Sequence, residues 1–140
     1  MSREMNDTGI QKIIKLRGIV ITGTGEAGMI TEIPWVKQQF IDKLGITPYP
    51  GTFNITVLAE DRDKLTAIRQ AKGAKIISRD INHCSGISLH ALVNGKIKGA
   101  IVIPLIPNYP PDQLEIIASE NIRRSLSLKD GDPVEVEAYL

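Results

Sequence analysis

Two polar side chains two residues apart, Thr52 and Asn54, have the types and the spacing that metal chemistry needs. They follow Pro48–Gly51, a segment in which two prolines fix φ and a glycine relaxes the backbone into a turn. Apolar and polar residues then alternate, which predicts a strand over residues 52–58 with both side chains on one face. Neutral oxygens placed this way could complete the shell of a magnesium ion already held by phosphates. The alternative is that both side chains bond to nearby backbone.

A glycine-rich segment lies upstream of this turn and comprises Gly23, Thr24, Gly25, Glu26, Ala27 and Gly28. It matches the G-x-G-x-x-G dinucleotide fingerprint, but that fingerprint requires the loop to open a helix. Here the next residues are rich in β-branched types and stop at Pro34, which excludes a dinucleotide site of that kind. Two interpretations stay open, a β-turn with a bulge or a flexible loop that covers phosphates, as in protein kinases.

The composition of the 140 residues is that of one ordinary globular domain, with 42% apolar and 24% charged residues. A net charge of +1 gives no electrostatic case for nucleic-acid binding. The single cysteine, Cys84, excludes an internal disulfide, and the polar start Met1–Asp7 does not resemble a signal peptide. The longest apolar stretch, Gly99–Pro107, is too short to cross a bilayer. We expect one cytoplasmic domain over residues 1–140, with residues 1–12 as a flexible tail.

Short strands dominate the predicted secondary structure. The clearest element is a hairpin, because Asn94-Gly95 lies between two alternating runs. Further strands are predicted over residues 13–22 and 74–78 and around Val134, Val136 and Ala138. Helices are predicted over residues 35–44, after Asp61 or Asp63, over residues 112–118, and beyond Ser119 as a cap. Many short strands without a regular βαβ rhythm favour a closed, mainly β barrel of the α+β kind.

Taken in order, six motifs resemble the archaeal CTP-dependent riboflavin kinases, a family built on a six-stranded cradle-loop barrel. These motifs are Gly18-Ile19-Val20 with Gly23–Glu26, Phe40–Gly45, Pro48–Ile55, Gly99–Pro104, Leu114–Ala118 and Leu126–Asp132. The similarity covers nearly the whole chain and is loosest between Leu58 and Asn94.

The resemblance implies phosphoryl transfer from CTP to the ribityl 5′-hydroxyl of riboflavin, giving FMN and CDP. It implies that Thr52 and Asn54 hold Mg²⁺, and that Glu115 contacts the flavin and orients or deprotonates its hydroxyl. Position 107, here proline, also corresponds to a flavin contact. The implied nucleotide contacts are Gly23, Thr24, Gly25, Glu26, Ala27, Gly28, Asn121, Ile122, Arg123 and Arg124. Without the family, Glu115 is also compatible with an exposed carboxylate at a helix start, and the arginines with a solvated helix face.

The chain departs from the family at several of these positions. Relatives usually carry Gly-Arg and an aromatic residue where this chain has Ala27-Gly28-Met29, a threonine at Pro107 and a lysine at Asn121. Two alternatives to riboflavin kinase therefore stay open: a non-catalytic nucleotide- or flavin-binding module, and a kinase for a different hydroxylated acceptor. In each case we expect a monomer whose partners are small molecules, with neither nucleic acid nor membrane among them.

Overall fold

The computed structural model of the protein describes residues 12–23, 31–77 and 85–140. Within these ranges no helix is long and apolar enough to cross a bilayer. The strands are β1 (Ile13–Ile21), β2 (Phe53–Val57), β3 (Ala74–Ile76), β4 (Gly86–Val93), β5 (Ile97–Pro104), β6 (Gln113–Ala118) and β7 (Pro133–Tyr139). The helices are α1 (Pro34–Leu44), α2 (Arg62–Arg69) and α3 (Ile122–Ser125), and a 3₁₀ turn at Ala59–Asp61 leads into α2.

Six of the strands close into an antiparallel barrel in the order β4-β5-β6-β2-β1-β7, and β7 pairs back onto β4. The strand β4 pairs with two different strands along one of its edges. Its first residues, Gly86–Ser88, pair with β3, and its last, Ala91–Val93, pair with β7. The prediction of a mainly β, six-stranded barrel with a few short helices is confirmed.

The barrel interior is filled by alternate residues of its strands. Leu16, Ile55, Ile101, Ile116 and Val136 are all at most 1% exposed and belong to one buried cluster. A second cluster lies outside the barrel, where Val36, Phe40 and Leu44 of α1 cover Ala100 and Ile117. The strands β5 and β6 therefore bury side chains on both faces, and the helix α1 closes one part of the outer surface.

Several turn predictions are confirmed in detail. The helix α1 ends at Gly45, which adopts the left-handed conformation with φ of 70°. In the hairpin, Asn94 and Gly95 both have positive φ, 50° and 66°, as a two-residue type I′ connection requires. The predicted helix after Asp61 or Asp63 is α2, which buries Leu65 and Ile68.

The prediction of a helix over residues 112–118 is wrong, because Gln113–Ala118 forms the strand β6. Leu114, Ile116 and Ala118 point into the barrel while Ile117 packs under α1. The end of the strand is buried on both faces, so Ile116, Ile117 and Ala118 form an apolar run, and a short run of this kind does not distinguish strand from helix. The next helix, α3, is also capped differently: Asn121 and not Ser119 accepts the backbone N–H of Arg124, at 3.0 Å.

Candidate active site

Thr52, Asn54 and Glu115 meet on the outer face of the barrel. Asn54 of β2 lies directly opposite Glu115 of β6 in the antiparallel register. The Oγ1 atom of Thr52 is 3.4 Å from Asn54 Oδ1 and 3.3 Å from Glu115 Oε1. The strand β2 points Phe53 and Ile55 into the core, so the polar residues between them face outward, as the sequence predicts.

The alternative interpretation of Asn54, bonding to nearby backbone, applies to its nitrogen. Asn54 Nδ2 donates to the Thr52 carbonyl oxygen and to Thr52 Oγ1, at 3.1 Å each. These bonds fix the plane of the amide, with Oδ1 3.4 Å from the Thr52 hydroxyl oxygen. The two oxygens proposed as metal ligands are therefore held next to each other.

Gly23 lies against Asn54 at the end of β1. A Cβ atom built on Gly23 would lie 2.4 Å from Asn54 Nδ2 and 2.9 Å from Asn54 Cγ. Only a glycine leaves room for this amide, which is 7% exposed although it projects from the outer face. The structure thus gives Gly23 a steric role beside the candidate metal ligands.

The oxygens of Thr52 and Asn54 fit a small divalent cation. Magnesium takes six oxygens at 2.0–2.1 Å, so neighbouring ligand oxygens lie about 3.0 Å apart. The observed separation of 3.4 Å is close to that value. Two neutral ligands leave most of the shell and the charge to other groups, which is the usual arrangement where a nucleotide brings phosphate oxygens.

Glu115 is held by two hydroxyl groups. Thr52 donates to Oε1 at 3.3 Å, and the Tyr109 hydroxyl donates to Oε2. Burial, together with the hydrogen bond to Glu115 and its negative charge, raises the pKa of Tyr109 well above its usual range. Tyr109 is therefore a persistent donor to the carboxylate across the pH range in which the protein would work.

A cleft of about 100 Å³ adjoins this group. Its lining combines residues of the turn before β2 with residues around α3: Tyr49, Pro50, Gly51, Thr52, Phe53, Ile116, Ala118, Glu120, Asn121, Ile122 and Arg123. Of the four predicted nucleotide contacts around α3, the structure thus brings three, Asn121, Ile122 and Arg123, beside the candidate metal ligand Thr52. The fourth, Arg124, is exposed and does not line the cleft.

Asp130 connects α3 to the end of β1 through an ion pair and a hydrogen bond. Arg123 Nη1 lies 3.0 Å from Asp130 Oδ1, and the Thr22 hydroxyl donates to Asp130 Oδ2 at 2.6 Å. The Thr22 hydrogen bond and the positive charge of Arg123 hold the pKa of Asp130 below its usual range. Asp130 therefore orients Arg123 next to the point where the chain enters the glycine-rich segment.

Some predicted site residues cannot be compared with this geometry. Thr24, Gly25, Glu26, Ala27 and Gly28 lie outside the described residues, so only Gly23 represents the glycine-rich segment here. Pro107 is exposed at the start of an irregular stretch, as expected for a segment with three prolines in five residues. The contact with Glu115 from this stretch comes from Tyr109.

Sequence reasoning missed Tyr109, Asp130 and Arg69. Arg69 ends α2, and its guanidinium lies 5.4 Å from the centre of the Tyr109 ring. Its Nη2 donates to the carbonyl oxygens of Pro110, at 2.6 Å, and Gln113, at 3.1 Å. The sequence signal for Tyr109 was its position among three prolines shortly before Glu115. That pattern has no strand or helix period, so it does not indicate where the side chain points.

Comparison with known proteins gives a consistent assignment. The sequence model of the CTP-dependent riboflavin kinase family, described as a domain of unknown function (DUF120), matches residues 20–138. A riboflavin kinase of Sulfurisphaera tokodaii is 37% identical over 92% of this chain and 98% of its own length. One of Ignicoccus hospitalis is 32% identical over 93% of this chain and 74% of its own length.

Other relatives are longer. The chain spans 55% of the riboflavin kinase of Archaeoglobus fulgidus, to which it is 37% identical over 91% of its own residues. The family match and the relatives of similar length cover the barrel and the site described above. The chain belongs to the CTP-dependent riboflavin kinase family.

Proposed function

We propose that this protein transfers the γ-phosphoryl group of CTP to the ribityl 5′-hydroxyl of riboflavin, giving FMN and CDP, with Mg²⁺ as cofactor. The observation that carries the proposal is the meeting of Thr52, Asn54 and Glu115 beside the cleft, which Thr52 lines. Family membership and the names of the relatives support the same donor and acceptor.

In the proposed reaction Glu115 receives the proton of the attacking hydroxyl. The hydroxyl oxygen forms a bond to the γ-phosphorus, and the bond from that phosphorus to the β–γ bridging oxygen breaks, releasing CDP. A carboxylate has about four acceptor sites, and Tyr109 and Thr52 occupy two of them. Capacity therefore remains for the substrate hydroxyl while the carboxylate stays oriented.

Thr52 Oγ1 and Asn54 Oδ1 would hold the magnesium ion, which would neutralise phosphate charge when bound. Arg123, on the cleft wall, would contact the phosphates with the guanidinium donors that Asp130 does not take. Little covalent help is required of the protein in phosphoryl transfer, because positioning and charge neutralisation account for most of the catalysis. The few polar groups of this site are sufficient for that task.

Two large apolar side chains are exposed close in sequence to Tyr109. Leu105 and Ile106 are 55% and 44% exposed directly before residues 107–111, the proline-rich stretch that carries Tyr109. Exposed apolar side chains of this size suit a flat ring system such as that of a flavin.

A ligand-binding test comes first. Thermal shifts are measured with CTP, ATP and riboflavin, each with and without magnesium. A ligand at a hundredfold its Kd stabilises the fold by about 2.7 kcal/mol, which is several degrees for a domain of this size. If no nucleotide raises Tm, both the kinase and the nucleotide-binding alternative are wrong.

Turnover is then measured as FMN formation from CTP and riboflavin. The proposal predicts magnesium-dependent product and an Asn54→Ala variant that keeps its Tm but loses this turnover. Binding of CTP and riboflavin without product would favour the non-catalytic module. Unchanged activity of Asn54→Ala would contradict the metal assignment.

A further inference from the structure

A chain of contacts leads from the end of α2 to the candidate catalytic carboxylate. Arg69 lies over the ring of Tyr109, and the Tyr109 hydroxyl donates to Glu115 Oε2. The other oxygen of Glu115 accepts from Thr52. Glu115 is thus held on one side by Thr52, directly before β2, and on the other by Tyr109 of the proline-rich stretch, residues 107–111.

The proline-rich stretch has no regular secondary structure to fix it. Asn108 adopts a positive φ of 63°, and the three prolines remove backbone donors. Arg69 supplies an anchor, because its Nη2 binds the carbonyl oxygens of Pro110 and Gln113 on either side of the turn into β6. A planar guanidinium can stack on a ring and donate in its own plane at once, which a lysine ammonium cannot do.

We infer that Tyr109 is a positioning residue that sets the orientation of Glu115 toward the acceptor hydroxyl, and that Arg69 holds Tyr109 in place. This inference rests on the proposed function. It extends the site to two residues that are distant in sequence from Thr52 and Asn54 and do not line the cleft.

The geometry separates the expected effects on the two substrates. Tyr109 contacts the carboxylate that faces the acceptor, whereas the cleft beside Thr52 is lined by residues of the β2 turn and the α3 region. Loss of the Tyr109 hydroxyl should therefore lower kcat and leave the KM for CTP unchanged. A hydrogen bond to a charged group is worth enough to change a rate about tenfold or more.

The first test is the Tyr109→Phe variant, which keeps the ring under Arg69. We expect FMN formation with kcat reduced roughly tenfold or more, unchanged KM for CTP and a Tm near that of the wild type. Arg69→Lys should also lower kcat, and the double variant should be no slower than Tyr109→Phe alone, because Arg69 acts through Tyr109. An active wild type with an equally fast or faster Tyr109→Phe variant would overturn the inference, as would additive losses.

The second test does not depend on turnover. Tyr109 is faced by Glu115 and Arg69, and its raised pKa should keep it protonated in an alkaline phenolate absorbance titration of the folded protein. Removing the carboxylate charge in Glu115→Gln should lower the pKa of Tyr109 and so increase the phenolate absorbance at a given alkaline pH, and adding Tyr109→Phe to that variant should abolish the increase. A titration that Glu115→Gln leaves unchanged would overturn the contact, whereas a wild type without FMN formation but with the shifted titration would reject only the proposed function.

Discussion

The hydroxyl of Thr52 lies 3.3 Å from Glu115 Oε1, so the candidate metal ligand and the candidate base share a hydrogen bond across 63 residues of sequence. Magnesium binding through the Thr52 oxygen leaves its hydrogen available to Glu115, because a hydroxyl accepts and donates at the same time. In the proposed reaction this contact would couple the positions of the phosphate donor and the acceptor hydroxyl.

Two substitutions of Thr52 distinguish the effect of the side-chain shape on activity from the effect of its oxygen. Thr52→Val keeps the branched shape and loses the ligand, so we expect a magnesium requirement raised roughly tenfold or more and a reduced kcat. Thr52→Ser keeps the oxygen and should stay within a few-fold of the wild type. Magnesium titrations of FMN formation measure both. Equal behaviour of the valine and serine variants would contradict the assignment.

Gly23 is expected to act through Asn54. A methyl group at position 23 meets the end of the Asn54 side chain, which moves more easily than backbone. Gly23→Ala should therefore reduce magnesium-dependent turnover strongly while changing Tm little. In an Asn54→Ala background the same substitution should add no further loss, since the displaced group is absent. A further loss in that background would indicate a role of Gly23 apart from Asn54.

The two neighbouring arginines of α3 should differ in their effect on CTP binding. Arg123 lines the cleft, whereas Arg124 is exposed outside it. Arg123→Gln should weaken CTP binding roughly tenfold or more, as expected for one lost charged hydrogen bond. Arg124→Gln should weaken it less. Calorimetric Kd values for CTP distinguish the two, and a larger effect at Arg124 would contradict the cleft as the nucleotide site.

The ion pair between Arg17 and Asp61 predicts an acid-dependent loss of stability. Asp61 is 3% exposed and accepts from both the backbone N–H and the Nε of Arg17, and these hydrogen bonds hold its pKa at about 2. Because the pKa of Asp61 in the folded state lies below its ordinary value of 3.8, the ionised carboxylate stabilises the folded state at pH values above 3.8. This contribution is lost as the pH falls toward about 2.

Urea unfolding between about pH 5 and pH 2 measures this dependence. Asp61→Asn should lower the unfolding midpoint at pH 5 and flatten its decline with acid. Asp112→Asn is the control, because its pair with Arg62 is long, at 3.7 Å, and largely exposed. An equal acid dependence of the wild type and Asp61→Asn would contradict the role of this pair.

Local patterns were sufficient for much of the fold. The alternation after Thr52 defined β2 and its two faces, and Asn94-Gly95 defined the hairpin, because both signals depend on a few consecutive residues. The strand β6 was mistaken for a helix, since burial on both faces removes the period that identifies a strand.

The sequence by itself predicted the oxygens of Thr52 and Asn54 on one face, because side chains two residues apart on an extended strand point to the same side. Only the tertiary structure decided that Glu115 lies opposite Asn54 and that Gly23 leaves room for the Asn54 amide. It also decided that Tyr109, with Arg69 over its ring, holds the Glu115 carboxylate. These contacts depend on how β2 and β6 align and on how a loop packs against α2. Such alignment arises from burial summed over the whole barrel and has no local sequence signature.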